Sequence, residues 1–319
     1  MTVPLVTAGL LSFNAENTIG RAIDSCLAQS WPNLEILIVD DASSDRTAQL
    51  ARQRIEDDPR ARVICHEQNT GAAGARNTVL RLARGEFIAF FDDDDESLPE
   101  RTFEQVRSLT IYEQRTGQKL VACYASGIRR YPNGYVKPMP AIGAKGGEPP
   151  HGPRVADRLL FYRRTPGWFF GSGVPTCALL ARRDTFAAVG GFDRALRRVE
   201  DADFAIRLAL LGGHFIGTES HVLIQNATSA PDKSPERNLE AEQHLATKHA
   251  DYLRTVGRYH YAWRWPRLRY WHFKRRYDMV LCELVQLTLR NPIAVWRHIL
   301  TTGPRRLLHE IALRRTARV

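Results

Sequence analysis

No stretch of this 319-residue sequence approaches the ~18 consecutive apolar residues that a membrane-spanning helix requires, and the run VLCELVQLTL at 280–289 is already broken by Glu283. Cysteine is scarce: Cys26, Cys65, Cys123, Cys177 and Cys282 are odd in number, scattered and free of CxxC spacing. That speaks against a disulfide framework or a zinc site and for a reducing cytosol. The ten histidines form no HxxH or HExxH pattern, and no internal repeat is present. The opening MTVPLVTAGLLSFN lacks a basic segment and a small-residue cleavage pattern, so it reads as a first strand and not as a signal peptide. Acidic residues are nearly missing from the C-terminal end. Residues 254–319 hold 15 Arg and Lys, 14 of them Arg, against Asp278, Glu283 and Glu310, a balance of +12 that leaves residues 1–253 at −2.

The 44% hydrophobic and 25% charged composition is that of a globular protein, long enough for one large domain and an appendage. Up to residue 95, strand and helix patterns alternate. LVTAGLLSF, LEILIVDD, ARVICHE and EFIAFFDDDD are of strand type. Between them AENTIGRAIDSCLAQSW sets Ile19, Ala22, Ile23, Cys26 and Leu27 at helical spacing, SSDRTAQLARQRI opens on caps at Ser44 or Asp45, and AAGARNTVLRLA is a third helix. The alternation predicts an α/β fold, a Rossmann-like parallel sheet wound by right-handed crossovers, with ligands beyond the C-terminal ends of its strands. Asp40 and Asp41 on one side and Asp92 to Asp95 on the other fall at such ends, so two acidic corners are expected to face one crevice. Residues 131–153, with six prolines and five glycines, read as a long loop of lid type.

Four carboxylates in a row after the buried run FIAFF are costly, because like charges raise one another's pKa unless a cation relieves them. A second acidic group, VEDADF, follows the turn GGFD and opens an apolar helix that stops at a Gly-Gly pair. Acids at a helix start also stabilise its dipole; Asp203, four residues before Arg207, is of that structural kind.

LLSFNAENTIGRAIDSCLAQSWPNLEILIVDDASSDRT, NTGAAGARN, ARGEFIAFFDDDD and GGFDRAL with EDADFAIRLALLGG closely resemble, in order and spacing, the motifs of family 2 glycosyltransferases, the inverting enzymes of the glycosyltransferase A fold. The resemblance covers roughly residues 3–220. It implies a nucleotide-sugar donor, most readily a UDP-sugar, and a bridging Mn2+ or Mg2+ at the Asp-x-Asp motif, with Asp94 and Asp92 on the metal and Asp92 or Asp93 on the ribose. The usual Asp-Ser-Asp-Asp reads Asp-Asp-Asp-Asp here, and Asp95 is expected to serve the following helix. Asp41 is implied as the acceptor for the uracil ring. Ser12, Phe13, Asn14 and Glu16 fall in the nucleotide-binding turn, where Leu11 replaces a common proline, and Arg76 supplies charge to the nucleotide. Asp201 is implied as the general base for an acceptor hydroxyl, with Glu200, Trp168 and Thr176 on the acceptor side. A histidine after the later strand ligates the metal in some members; here Gln225 stands near that place, with His221 before it. The acceptor implied is a glycan or a lipid-linked oligosaccharide. Two other readings of the same residues are a nucleotidyltransferase, against which the GGFD and EDADF segments argue, and a degenerate nucleotide-sugar-binding protein, which would lack a base or a metal ligand.

The chain thus divides in expectation into a catalytic domain at 1–253 and a basic, aromatic, helical tail at 254–319. Nine aromatics between Tyr259 and Trp296, including four of the six tryptophans, alternate with arginines, a mixture suited to an anionic membrane surface. PRRLLHEIALRRTA reads as a basic amphipathic helix presenting Leu307, Leu308 and Ile311. The other partner this composition suits is protein, the catalytic domain or a second copy in a homodimer; nucleic acid is disfavoured, since no recognition module is present. Peripheral attachment at the cytoplasmic face of a membrane is the placement expected.

Overall fold

The structure, a computed structural model, describes residues 3–227 and 234–316, the last twelve by backbone alone. It divides into two compact units, Met1–Arg130 with Val136–Ala156 and Thr165–Thr228, and Tyr131–Tyr135 with Asp157–Arg164 and Ser229–Val319. In the second unit α8 (Pro235–Lys248) and α9 (Ala250–Thr255) give Ala246 and Leu253 to the core of the helices.

In the first unit, β1 (Val6–Ser12) and β2 (Leu34–Asp40) are buried at every residue, as strands covered on both faces must be. β3 (Ala61–Cys65) and β4 (Phe87–Asp92) complete a parallel set in the order β3-β2-β1-β4. α1 (Ile19–Leu27), α2 (Thr47–Arg54) and α3 (Gly71–Leu82) make the crossovers. α1 buries Ile19, Ala22, Ile23 and Cys26, the residues at helical spacing, and Asp45 receives the backbone N–H of Thr47 at the start of α2.

Beyond β4 the sheet becomes mixed and continues β8-β6-β9-β5. β8 (Leu179–Arg182) runs antiparallel to β4 and to β6 (Val121–Arg130), while β9 (His214–Asn226) is parallel to β6. The expected α/β fold is thus present, with the parallel set β3-β2-β1-β4 and the β6–β9 pair joined by the antiparallel β8. Part of the loop expected at 131–153 is also strand: β7 (Val136–Met139) forms a hairpin with β6, its Pro138 tolerated because among the described residues β7 pairs with β6 alone. The chain then continues through α5 (Pro153–Phe161).

The placement of the aspartates follows from this topology. β4 lies in the middle of the sheet, and β5 (Glu96–Ser97), only four residues on, pairs with β9 at its far edge. Asp93, Asp94 and Asp95 are the link between them, stretched across the strand ends before α4 (Arg101–Thr116) begins. α6 (Arg183–Val189) and α7 (Glu200–Leu210) follow. Phe192 between them stacks on Phe204 of α7 at 4.9 Å and meets Phe90 of β4 edge-on at 5.5 Å, so α7 is seated against the strand that carries the aspartates.

The second unit contains α8, α9, α10 (Tyr259–Phe273), α11 (Tyr277–Arg290) and α12 (Pro292–Thr316). The amphipathic helix expected to begin at Pro304 is the second half of α12, which runs unbroken through that proline. In the turn before that proline the Thr301 and Thr302 hydroxyls bond back to the carbonyls of Arg297 and His298. The side chains of the expected amphipathic segment, Leu307, Leu308 and Ile311, lie outside the described residues.

Candidate active site

Asp92 ends β4 beside Leu11 of β1. Its Oδ1 lies 3.6 Å from Nη2 of Arg76, whose Nη1 donates to Glu200 Oε1 at 2.5 Å. One buried guanidinium, 5% exposed and set over the Phe192 ring, therefore joins the first acidic centre to the second. Arg76 was expected to serve the nucleotide; here its two terminal nitrogens face carboxylates of the chain itself. Burial raises the carboxyl of Asp92, opposed by Arg76 and reinforced by Asp94 and Glu200.

The other aspartates diverge. Asp93 accepts the N–H of Phe13 at 2.8 Å, which pins the turn after β1 to the aspartate link, and burial pushes its carboxyl up to about 7. The carbonyl of Asp94 accepts from Arg21 and from Asn226 Nδ2. Asp95 does not cap α4, whose first turn has no side-chain cap. It is 5% exposed and accepts the backbone N–H of Asn226 at 2.9 Å. Burial, with Asp92 and Asp94 nearby, pushes it up to about 8. The Cys177 sulfur and oxygens of Asp92 and Asp95 lie within 4.8 Å of one another, and Gln225, expected near the metal, donates to that sulfur and accepts from Arg129. His221 is exposed. Beneath the link Arg101, 1% exposed, bonds to Ser97 Oγ and the Phe90 carbonyl and stacks on Phe91, a second built-in cation.

Asp41 is saturated more fully than its expected role suggests. Its Oδ1 accepts from His66 Nδ1, Thr70 N and Thr70 Oγ1 at 2.7–2.9 Å, and Oδ2 accepts from Gly71 N at 2.7 Å, leaving Oδ2 the less occupied oxygen. Thr78 Oγ1 meets the far nitrogen of His66 at 2.9 Å, which fits a ring that donates from Nδ1. Two glycines make this loop feasible: Gly71 has φ +75°, and a Cβ on Gly74 would lie 2.1 Å from Thr70 Oγ1. Ser12 is buried and donates to Asp40, Asn14 has φ 49° and accepts from Ser44, and Glu16 pairs with Arg46. Phe13 is 48% exposed.

At the second centre, Val199 takes a left-handed φ of 59° just ahead of α7, which sets Glu200 and Asp201 at the helix start. Asp201 Oδ1 accepts the Ala202 N–H at 2.7 Å. Burial and the Glu200 charge raise its carboxyl to about 6, against the pull of Arg76. Asp203 is wholly buried and paired with Arg207, as its spacing predicts. The Tyr124 hydroxyl is raised by burial and by Asp201. Among the described residues six buried side-chain polar atoms lack a hydrogen-bond partner, and three, Arg76 Nε, Asp95 Oδ2 and Tyr124 Oη, belong to this basin. Such atoms mark a place completed by something else, and crowded, buried carboxylates suit a hard divalent cation. Trp168 lies among His151 and Phe170 and reaches Glu148, and Thr176 is buried in a short 3-10 turn. His66, Arg101, Tyr124 and Cys177 are the residues sequence reasoning missed, since nothing local distinguishes them from core positions.

The family model described as Glycosyl transferase family 2 matches residues 8–147, which include all four aspartates, Asp41 and Arg76. The UDP-Glc:alpha-D-GlcNAc-diphosphoundecaprenol beta-1,3-glucosyltransferase WfgD of Escherichia coli is 46% identical over 93 residues, 28% of this chain. The chain spans only 35% of that relative's length. Among solved structures, S. aureus TarS 1-349 in complex with UDP-GlcNAc superposes with a TM-score of 0.59 at 16% identity, covering 92% of this chain and 82% of its own. The mannosyltransferase PcManGT from Pyrobaculum calidifontis, in complex with GDP-Man and Mn2+, gives 0.57 at 20% identity, covering 98% and 83%. At these identities the likeness is one of fold.

Proposed function

This chain belongs to glycosyltransferase family 2 through residues 8–147 and has a glycosyltransferase A-type fold, and on that premise we propose that it is an inverting, metal-dependent hexosyltransferase. It takes a sugar from a nucleotide diphosphate, UDP by preference, and delivers it to a hydroxyl of a glycan or lipid-linked acceptor in polysaccharide or glycoconjugate synthesis. The observation that carries this reading is the Arg76 bridge, which couples the carboxylate that closes β4 to the carboxylates that open α7. A lipid-linked acceptor sits at a membrane, so the chain works in the cytoplasm, peripheral to the membrane's cytoplasmic face.

Mn2+ or Mg2+ held by Asp94 and Asp92 would neutralise the diphosphate and accept charge on the leaving group. Asp93 fixes the turn of Ser12, Phe13 and Asn14 around the nucleoside, Glu16 and Arg46 brace the turn's outer side, and Asp41 offers Oδ2 to the base. Asp201 removes the proton from the acceptor hydroxyl while that oxygen bonds to the anomeric carbon and the bond to the diphosphate breaks. UDP departs on the opposite face and configuration inverts. Glu200, held by Arg76, orients the acceptor, with Trp168 as a stacking surface and Thr176 as a flanking contact.

A thermal-shift panel of nucleotide sugars tests the donor class, because a ligand that binds only the native state raises its melting temperature. UDP-sugars with Mn2+ are expected to raise it by several degrees and either alone by less; no shift with any nucleotide sugar plus metal would sink the assignment.

A further inference from the structure

The outer helices of the C-terminal unit carry their polarity inside out. α11 turns Glu283, 2% exposed, inward, where Arg264 and Arg267 reach its two oxygens at 2.7 and 2.6 Å. Outward, at four-residue intervals, it presents Tyr277, Leu281, Val285 and Leu289. α12 repeats the arrangement. Val295 and His298 face inward, His298 stacked on Trp265 at 3.7 Å and bonded to the Tyr261 hydroxyl. Ile293, Trp296 and Leu300 are outside, with exposures of 81%, 49% and 70%. A helix that faces water does the reverse, and an apolar strip of this kind marks a surface that is normally covered.

We propose that the outward face of α11 and α12 docks on an anionic lipid bilayer, lying in its headgroup layer. This deepens the peripheral placement proposed above and is independent of the transfer chemistry. Charge selects the occupant. Arg275, Arg290 and Arg297 are exposed on or beside the strip, with Arg276 paired to Asp278, within a segment whose balance is +12. A second copy would bring two such faces together at a repulsive cost, whereas anionic headgroups neutralise them. Tyr277 and Trp296 are the side chains that partition to the interface between water and hydrocarbon. No described helix is long and apolar enough to cross a membrane, which fits a face that lies in the plane.

Flotation of the full chain with vesicles tests this. Binding is expected to phosphatidylcholine vesicles containing phosphatidylglycerol, weaker binding to phosphatidylcholine alone, a blue shift of tryptophan emission, and release at high salt. The triple variant Leu289→Glu, Ile293→Glu, Leu300→Glu changes exposed positions only. It is expected to lose roughly a hundredfold in vesicle affinity or more and to keep the wild-type thermal shift with UDP and Mn2+. Equal binding to neutral and anionic vesicles, or none to either, would overturn the proposal. So would a dimer in solution that the triple variant dissociates, since a second copy would then cover the face. Failure of the donor assignment would appear separately, as loss of the nucleotide shift without vesicles.

Discussion

Asp201→Asn is expected to lower sugar transfer by about a thousandfold while donor affinity stays unchanged. Asparagine keeps the shape and can still accept the Ala202 N–H that Asp201 accepts at 2.7 Å, so the fold has no reason to suffer. What it loses is the capacity to take a proton. The pH profile separates this from a structural effect. The Asp201 carboxyl is raised to about 6 by burial and by Glu200, so its basic form prevails above that value, and the wild-type rate falls as pH drops through it. The residual activity of the variant lacks the Asp201 contribution to that limb and keeps only the part set by the aspartate link, where Asp93 and Asp95 are raised to about 7 and 8. A variant that turns over at the wild-type rate would show that the base is elsewhere.

Arg76→Ala is expected to be the most damaging change to the fold of the site. It leaves Glu200 and Asp92 facing one another with no cation between them, and breaking a buried pair on one side costs about 3–5 kcal/mol. The side chain of Glu200 is only 12% exposed, whereas Asp92 at 32% retains some solvent, so the lower end of that range applies. Chemical unfolding followed by near-UV circular dichroism measures it. Arg76→Lys keeps the charge without the two-pronged reach and is expected to lose less than half as much. If Arg76→Ala is as stable as wild type, the bridge does not hold the two centres together.

The parts of this arrangement that were legible in the sequence are those whose signal is local. Continuous apolar runs identify β1, β2 and β4, helical spacing identifies α1, and the position of acids after those strands puts both corners at one edge of the sheet. The parts that were not legible depend on distant partners. Asp95 resembles a helix cap by position, yet its partner is Asn226 at the end of β9, 131 residues on. Arg76 carries no local sign of Glu200, 124 residues away, with which it is in contact. β7 hides among prolines because an edge strand needs few of its own N–H groups. The inverted face of α11 is invisible to periodicity, which reports that apolar residues share a face and not which way that face turns.

The account rests on the claim that the aspartate link holds a divalent cation together with a nucleotide diphosphate. Electron paramagnetic resonance of free Mn2+ tests this most directly, since binding removes the aqueous signal. With the wild-type chain the signal is expected to fall modestly on adding protein and strongly when UDP is present. With Asp94→Ala, UDP plus protein is expected to remove no more than UDP alone. An Asp94→Ala chain that takes up Mn2+ and UDP as the wild type does would contradict the account.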